Sequence, residues 1–477
     1  MISSALFLAL LAAAMVLIAT RVTRLALHGN ALRLTCEIYY PIILLLVYGL
    51  AAVPLLLREP SYFPGYVGVD FAVVDILYAF LIMMFGALSY VVGFNLAYRA
   101  PTNTTAIARA STGLRESSFN AGAVTLAVID VMVRLQQIAT GQYFDWMRGR
   151  AADLFGDGQN ALWLLQDGLA PILAAIATHR SDKHRVWLIY LFALFFALVL
   201  EGKRTKLLLV IAASLLVHFV LRKTRIRLSR GLVFYAVIGA FGLSFASSAI
   251  LEARITFRSN INGALADPAR FVQDMVFEVM PRAFVNTFTG SEPNTDLIRG
   301  ASFAERMPTW SISLASQTRS VAEAGLLPLG TMFDEMAVVV PSALWFGNKP
   351  TIGVSTTIAN YYDLWAPNTF STKADLASTA LVNPYLYSGL PGLLIYALFL
   401  GMLVGWTARY ATARFGVNGV LLMIGSIYYL KPFSNSMAGP IVGLRNLIII
   451  IVFFHMAELV IRAFRLSSAP ANRPSAK

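Results

Sequence analysis

Apolar runs of about 20 residues recur from one end of this chain to the other, each long enough to cross a hydrocarbon core of about 30 Å. That recurrence leaves little freedom of fold. In lipid every backbone N–H and C=O must be satisfied within the protein, so a spanning segment is a helix or a strand of a closed barrel, and runs of this length are helices. Eleven spans are expected, near 4–20, 39–57, 71–97, 121–138, 161–178, 186–200, 206–221, 231–251, 388–408, 417–434 and 441–461. The fold class expected is an all-α polytopic membrane protein. Composition agrees: 57% of the 477 residues are hydrophobic and 13% charged, against about a quarter charged in a soluble chain.

Charge then sets direction. The first span, from Ser4 to Thr20, has no basic residues before it, and Arg21 and Arg24 follow it. This is neither a cleavable leader nor an inside N-terminus. With the N-terminus outside and the C-terminus inside, every inside segment carries Lys or Arg, and together they hold more than half of the 38 basic residues. The net charge of +13 is therefore read as topology and as contact with membrane lipid, and nucleic acid is not expected as a partner. Within the fourth span Asp130 and Arg134 lie one helical turn apart, where they can pair inside a bundle. The single cysteine, Cys36, excludes an internal disulfide and a cysteine-based metal site.

Two features resist the topological reading. Glu201-Gly202-Lys203-Arg204-Thr205-Lys206 is a short basic loop between two spans on the outside, where basic loops are disfavoured. Lys203, Arg204 and Lys206 there can hold a phosphate or pyrophosphate, or reach to lipid headgroups. The second feature is a long outside segment, 252–387. It divides the chain into a transmembrane bundle of about eight spans (1–251), the loop itself, three last spans (388–461) and an inside tail (462–477). Two helices are expected in the loop: an amphipathic one from Pro268 to Phe284, lying on the membrane surface, and one from Leu327 to Phe346, ending at Gly347-Asn348-Lys349-Pro350. Arg282, Arg319 and Lys349, with Arg445 in the outer turns of the last span, add cationic candidates that would draw in an anion. Asp334, Glu335, Asp363 and Asp375 are the loop carboxylates that can serve as a general base. All five histidines fall inside or near the inner face, so a histidine base outside is not expected. No outside cluster has metal-ligand spacing, and neither a metal nor another cofactor is expected.

Four short segments, taken in order, resemble the bacterial oligosaccharide repeat-unit polymerases, the O-antigen polymerase (Wzy) group. These are Gly202-Lys203-Arg204-Thr205, Gly300-Ala301-Ser302-Phe303, Pro341 through Trp345 to Lys349-Pro350, and Tyr385-Leu386-Tyr387-Ser388-Gly389-Leu390-Pro391-Gly392. A large outer loop followed by three final spans is also similar to that group. The resemblance implies a GT-C-like fold in the bacterial inner membrane, with a periplasmic N-terminus, a periplasmic loop and a cytoplasmic C-terminus. It implies a glycosyltransferase that moves a glycan from an undecaprenyl-pyrophosphate donor to a sugar hydroxyl of a second lipid-linked unit, without a metal. Lys203, Arg204, Lys206, Arg445, Arg282, Arg319 and Lys349 would then face the pyrophosphate. The base would be Glu335, Asp334 or Asp375. A chain-length regulator and a flippase would be protein partners. An O-antigen ligase and a transporter of polysaccharide or lipid-linked oligosaccharide are the competing expectations.

Overall fold

The structure is a computed structural model that describes residues 2–53, 73–98, 113–139, 161–201, 204–221, 273–289, 303–340, 380–428 and 436–467, with a few single positions between them. The described residues are almost all helical and none is in a strand. Among the described residues, five helices are long and apolar enough to cross a membrane: Ser4–Leu27, Val73–Ala97, Glu116–Gln137, Val382–Phe415 and Ala438–Ile461. Large apolar side chains are exposed along them, Leu17, Leu88, Met132, Ile395 and Val452 among others. In water that pattern would be unstable, and facing lipid it is the expected one. The chain is a helical, membrane-embedded protein.

In chain order the elements are α1 (Ile2–Leu27); α2, a helical segment over 31–53; α3 (Val73–Ala97); α4 (Gly113–Ala139); α5 (Ala161–Arg180); α6 (Arg185–Glu201); and α7 (Arg204–Leu215), continued by a π turn Leu216–Leu221. Next come α8 (Met280–Thr289), preceded by a π turn Met275–Val279, then α9 (Phe303–Ala324), α10 (Leu329–Ala337), α11 (Val382–Phe415), α12 (Val417–Gly425) with a 3-10 turn Ser426–Tyr428, and α13 (Ala438–Ser467).

The contacts sort helix termini into two ends of the molecule. At one end Arg21 of α1 reaches Glu37 of α2, Arg33 reaches Asn95 of α3, Arg180 of α5 reaches Asn418 of α12, and Arg414 of α11 reaches Glu458 of α13. This is the basic end. At the other, the loop end, Tyr78 of α3 meets Tyr385 of α11 at 3.0 Å, α9 packs on α2, α3 and α11, and α10 is hydrogen-bonded to the start of α11. The centre of the packing is the parallel pair α3 and α11. A Cβ added at Gly401 would lie 2.1 Å from the Tyr90 carbonyl oxygen, and one at Gly93 2.0 Å from that of Leu398. Small residues thus bring the two backbones together, which is how helices associate where lipid removes the hydrophobic drive.

Three sequence expectations change. α2 begins at Ala31 rather than near 39, because the Asn30 side chain accepts from the Arg33 N–H and caps it. It contains two π turns, Leu34–Ile38 and Leu45–Gly49. Hydroxyls from outside meet carbonyls in them: Tyr90 donates to Cys36 O at 2.6 Å and Ser311 to Tyr48 O at 3.0 Å. Of the tenth expected span, 417–434, the described residues are helical over 417–428 and Leu430 is in a turn, while 429 and 431–434 lie outside the described residues. The helix expected over 327–346 is α10 and stops at Ala337, followed by turns to Val340. Its i→i+3 bonds from Val338, Val339 and Val340 close the end, and Pro341 disfavours a helical residue before it. α9 was not expected at all. Its apolar period is diluted by Ser and Thr, and it is held from outside by Ser311 on Tyr48 and by Arg319 on Asp75 at 3.6 Å. The amphipathic helix expected over 268–284 is the π turn plus α8, reaching Thr289. The span expected at 231–251 lies almost wholly outside the described residues.

Candidate functional site

α11 is two helices. Gly389 sits at φ 66°, ψ −162°, a conformation open to glycine and strained for other residues. It breaks the helix between a short first piece, 382–388, and the long span that Pro391 begins. The first piece is pinned by Leu386, whose carbonyl accepts from the Leu327 N–H at 2.9 Å just before α10. It therefore presents Asn383 and Tyr387 to α10.

Glu335 of α10 meets them. It is completely buried. Tyr387 Oη donates to Glu335 Oε2 at 2.9 Å, and Asn383 Nδ2 donates to Oε1 at 3.3 Å. The backbone N–H of Met437 also donates to Oε1. Met437 precedes α13, so this carboxylate caps one of the free N–H groups at a helix N-terminus, where the dipole favours negative charge. Tyr396 of α11 donates to the Met437 carbonyl at 2.5 Å, gripping the same residue from the other side, and Tyr40 of α2 donates to Leu430 O at 2.8 Å. Side chains thus satisfy the Leu430 carbonyl and both backbone groups of Met437 between α12 and α13.

Arg445 lies two turns into α13 and is half-buried. Its NH1 donates to Val339 O at 2.5 Å, at the C-terminal side of α10, and Nε and NH2 donate to Asn446 Oδ1 at 3.3 and 3.2 Å. A cation at a helix C-terminus opposes the negative end of the dipole. These bonds engage about three of the five guanidinium N–H groups, and every acceptor is a neutral oxygen. One short helix thus carries a buried carboxylate and, one turn on, the carbonyl that holds a cation.

The other expected residues are placed as follows. Asp334 is exposed on α10. Lys206 is buried in the first turn of α7, which sets it inside the protein rather than among lipid headgroups. α7 begins at Arg204 and packs against α5 and against the 3-10 turn Ser426–Tyr428, which leads into the stretch that Glu335 caps. Arg282 is exposed and pairs with Glu278 at 3.7 Å. Arg319 is exposed and pairs with Glu323 at 2.6 Å and Asp75 at 3.6 Å. The structure brings neither to Glu335 or Arg445. Lys203, Lys349, Asp363 and Asp375, and the side chain of Arg204, lie outside the described residues.

A general base must come within about 3 Å of the proton it removes. Glu335 is enclosed, and the three bonds that its oxygens accept tie α10 to α11 and to the residue before α13. Sequence reasoning had Glu335 among its candidates and missed the donors. Tyr387 was visible as part of an aromatic segment; Asn383 and the Met437 peptide carried no signal of this role. Away from this site, Arg134 of α4 donates from Nε to both Asp130 oxygens at 3.2 and 3.1 Å, and Tyr190 of α6 donates to Asp130 Oδ2 at 3.1 Å. That is the one-turn pair the sequence led us to expect. Among the described residues no three His, Cys, Asp or Glu side chains gather as metal ligands would. No known protein family, curated protein or solved structure matches the chain.

Proposed function

We propose that this chain is a metal-independent membrane glycosyltransferase that polymerises lipid-linked oligosaccharide repeat units at the periplasmic face of a bacterial inner membrane. In this reading it has about eleven spans, a periplasmic N-terminus and loop end, and a cytoplasmic basic end. The donor is a glycan on undecaprenyl pyrophosphate. A hydroxyl oxygen of a second lipid-linked unit attacks the anomeric carbon, and the bond from that carbon to the pyrophosphate oxygen breaks. The leaving oxygen keeps the electron pair. The hydroxyl proton passes to a loop carboxylate, Asp334 or Asp375, since Glu335 is enclosed.

The observation that carries the proposal is the convergence on α10. The aromatic segment 385–392, part of the resemblance to the polymerases, supplies Tyr387 to Glu335, and the same helix holds Arg445 through Val339. Negative charge gathers on the leaving pyrophosphate, so cations fixed near it lower the barrier most. Arg445 is one. Lys203 and Arg204 are the others in this reading, and the helix that begins at Arg204 packs on the 3-10 turn Ser426–Tyr428. Arg282 and Arg319 are left out of the set, because carboxylates already hold them.

The test is made in cells. Lys203→Ala, Arg204→Ala and Arg445→Ala are each introduced, the protein is confirmed in the membrane, and glycan is displayed on a gel. Replacement of the polymer ladder by a band of one repeat unit supports the reading. An unchanged ladder in all three rejects it. Polymer that persists on its lipid carrier without reaching a lipid core indicates a ligase instead. A second reading, a transporter, draws on the buried Asp130–Arg134–Tyr190 group, since ionisable residues inside a membrane mark transport paths. It predicts that lipid-linked units accumulate on the cytoplasmic side when the gene is deleted.

A further inference from the structure

α10 is built the opposite way round from a helix on a water-soluble domain. Its carboxylate, Glu335, points inward and is fully enclosed, while Leu329 and Phe333 are 55% and 67% exposed, and Leu326 just before it 46%. At 3.6 residues per turn, Leu329 and Phe333 lie about 120° and 160° around the helix from Glu335. The outward face is therefore apolar, with the exposed Asp334 on the other flank.

The contacts fix where this face lies. Glu335 accepts from Met437 at the start of α13, and Val339 accepts from Arg445 eight residues further on, about 12 Å along that helix. α10 and the turn after it are thus bonded at two points to the first two turns of a helix long and apolar enough to cross a membrane. On α13, Ile441, Val442 and Arg445 are half-buried, and Ile448, Ile449 and Val452, the next turns on that side, are exposed. α10 is thus joined to α13 just before the turns of that helix that are exposed and apolar.

We infer that α10 is immersed in the outer part of the membrane at the loop end, with Leu329 and Phe333 among the acyl chains of the bilayer. The segment around α10 is then not part of an aqueous loop. It dips into the membrane and sets Glu335 and Arg445 at membrane depth, where low dielectric strengthens the pull of a fixed cation on an anion. A soluble partner would find this face beside lipid. The inference rests on the membrane-embedded fold and stands apart from the glycosyltransferase reading.

The experiment is spin labelling of the full chain in liposomes. Cys36, the single cysteine, is changed to Ala, and Leu329→Cys and Phe333→Cys are labelled with a nitroxide. Relaxation by oxygen, which concentrates in lipid, is compared with relaxation by a water-soluble nickel chelate. Leu17→Cys on α1 is the lipid reference and Lys183→Cys, exposed in the turn after α5, the water reference. The expected ratio at 329 and 333 matches that at 17. A ratio like that at 183 puts the face in water, and protection from both reagents puts it against protein, a second copy included; either overturns the inference. If the labelled chains fail to fold, a lipid-soluble carbene probe on the wild-type protein answers the same question. It should modify Leu329 and Phe333, and their escape from modification rejects immersion.

Discussion

The two ends of this molecule treat buried carboxylates differently. At the basic end Glu37 receives Arg21 at 2.7 Å and Arg33 at 3.2 Å, and Glu458 receives Arg414 at 2.9 Å. At the loop end Glu335 receives a phenol, a carboxamide and a backbone N–H, and Arg445 binds two neutral oxygens. Among the described residues, the first arrangement cancels charge where helices meet, and in the second a carboxylate on α10 and a cation on α13 are bonded to neutral partners rather than to each other. Cancelled pairs lock a bundle and leave little field outside themselves. A cation held only by dipoles keeps its field for an anion that arrives. The Asp130–Arg134 pair of α4 follows the basic-end pattern, though it lies far along its helix. The contrast is thus one of local construction, and it is what the proposed ligand chemistry at the loop end draws on.

The largest expected effect strikes the carboxylate without a cation. Glu335→Ala removes the acceptor that three buried donors share, and a buried donor that loses its partner costs about 1–3 kcal/mol. The melting temperature of the purified protein in detergent should fall sharply, and less membrane-inserted protein should accumulate. Glu335→Gln keeps one oxygen acceptor and should fall less. A wild-type melting curve for the alanine variant would show that α10 is not anchored through this residue.

Next comes the matching change at the basic end. Glu37→Ala also removes the acceptor for two guanidinium groups, but Arg21 and Arg33 are 34% and 20% exposed, so water takes up part of the loss. About 1–3 kcal/mol is expected. Polymer ladder per unit of membrane protein should stay at the wild-type level. A ladder lost at normal protein level would break the comparison, since it would give the basic end a chemical role.

These variants also mark what sequence could tell. The long spans were legible because lipid demands unbroken apolar helices, and Val73–Ala97 lies within a few residues of its expected bounds. α10 was overrun because its signal was read from apolar content through Trp345, while the stop lay in Val338-Val339-Val340-Pro341. At the site, Glu335 and Arg445 were visible as charges in unusual places. Their partners were not, because Asn383 and Met437 lie 48 and 102 residues from Glu335. Such pairings are set by how helix ends meet.

Arg445→Ala separates stability from chemistry at the loop end. Hydrogen bonds to neutral oxygens contribute about 0.5–1.5 kcal/mol each, so the melting temperature should drop modestly. Polymerisation should fall on the order of a hundredfold, as when one charge-stabilising group is removed from a transition state. Arg445→Lys keeps the charge and loses the fork, and should recover only part of the rate. A variant that loses stability and polymer in proportion would make Arg445 a brace for α10, and the two ends would differ less than proposed.

The smallest effect is expected at Arg282, the loop cation that sequence alone ranked beside Arg445. It is more than half exposed, and its partner Glu278 sits one turn away at 3.7 Å. An exposed i,i+4 pair of this kind contributes about 0.3–0.5 kcal/mol. Arg282→Ala should leave both the melting curve and the ladder unchanged, because a guanidinium in water, already shared with a carboxylate, exerts little field on a ligand. If the ladder disappears, the pair with Glu278 is a resting arrangement that substrate breaks, and α8 must close over the site during turnover. A double change of Glu278→Ala with Arg282→Ala separates the cases. Recovery of the ladder would implicate the unpaired Glu278 as the cause of the loss, whereas continued absence would move Arg282 into the binding set and extend the site from α10 onto α8.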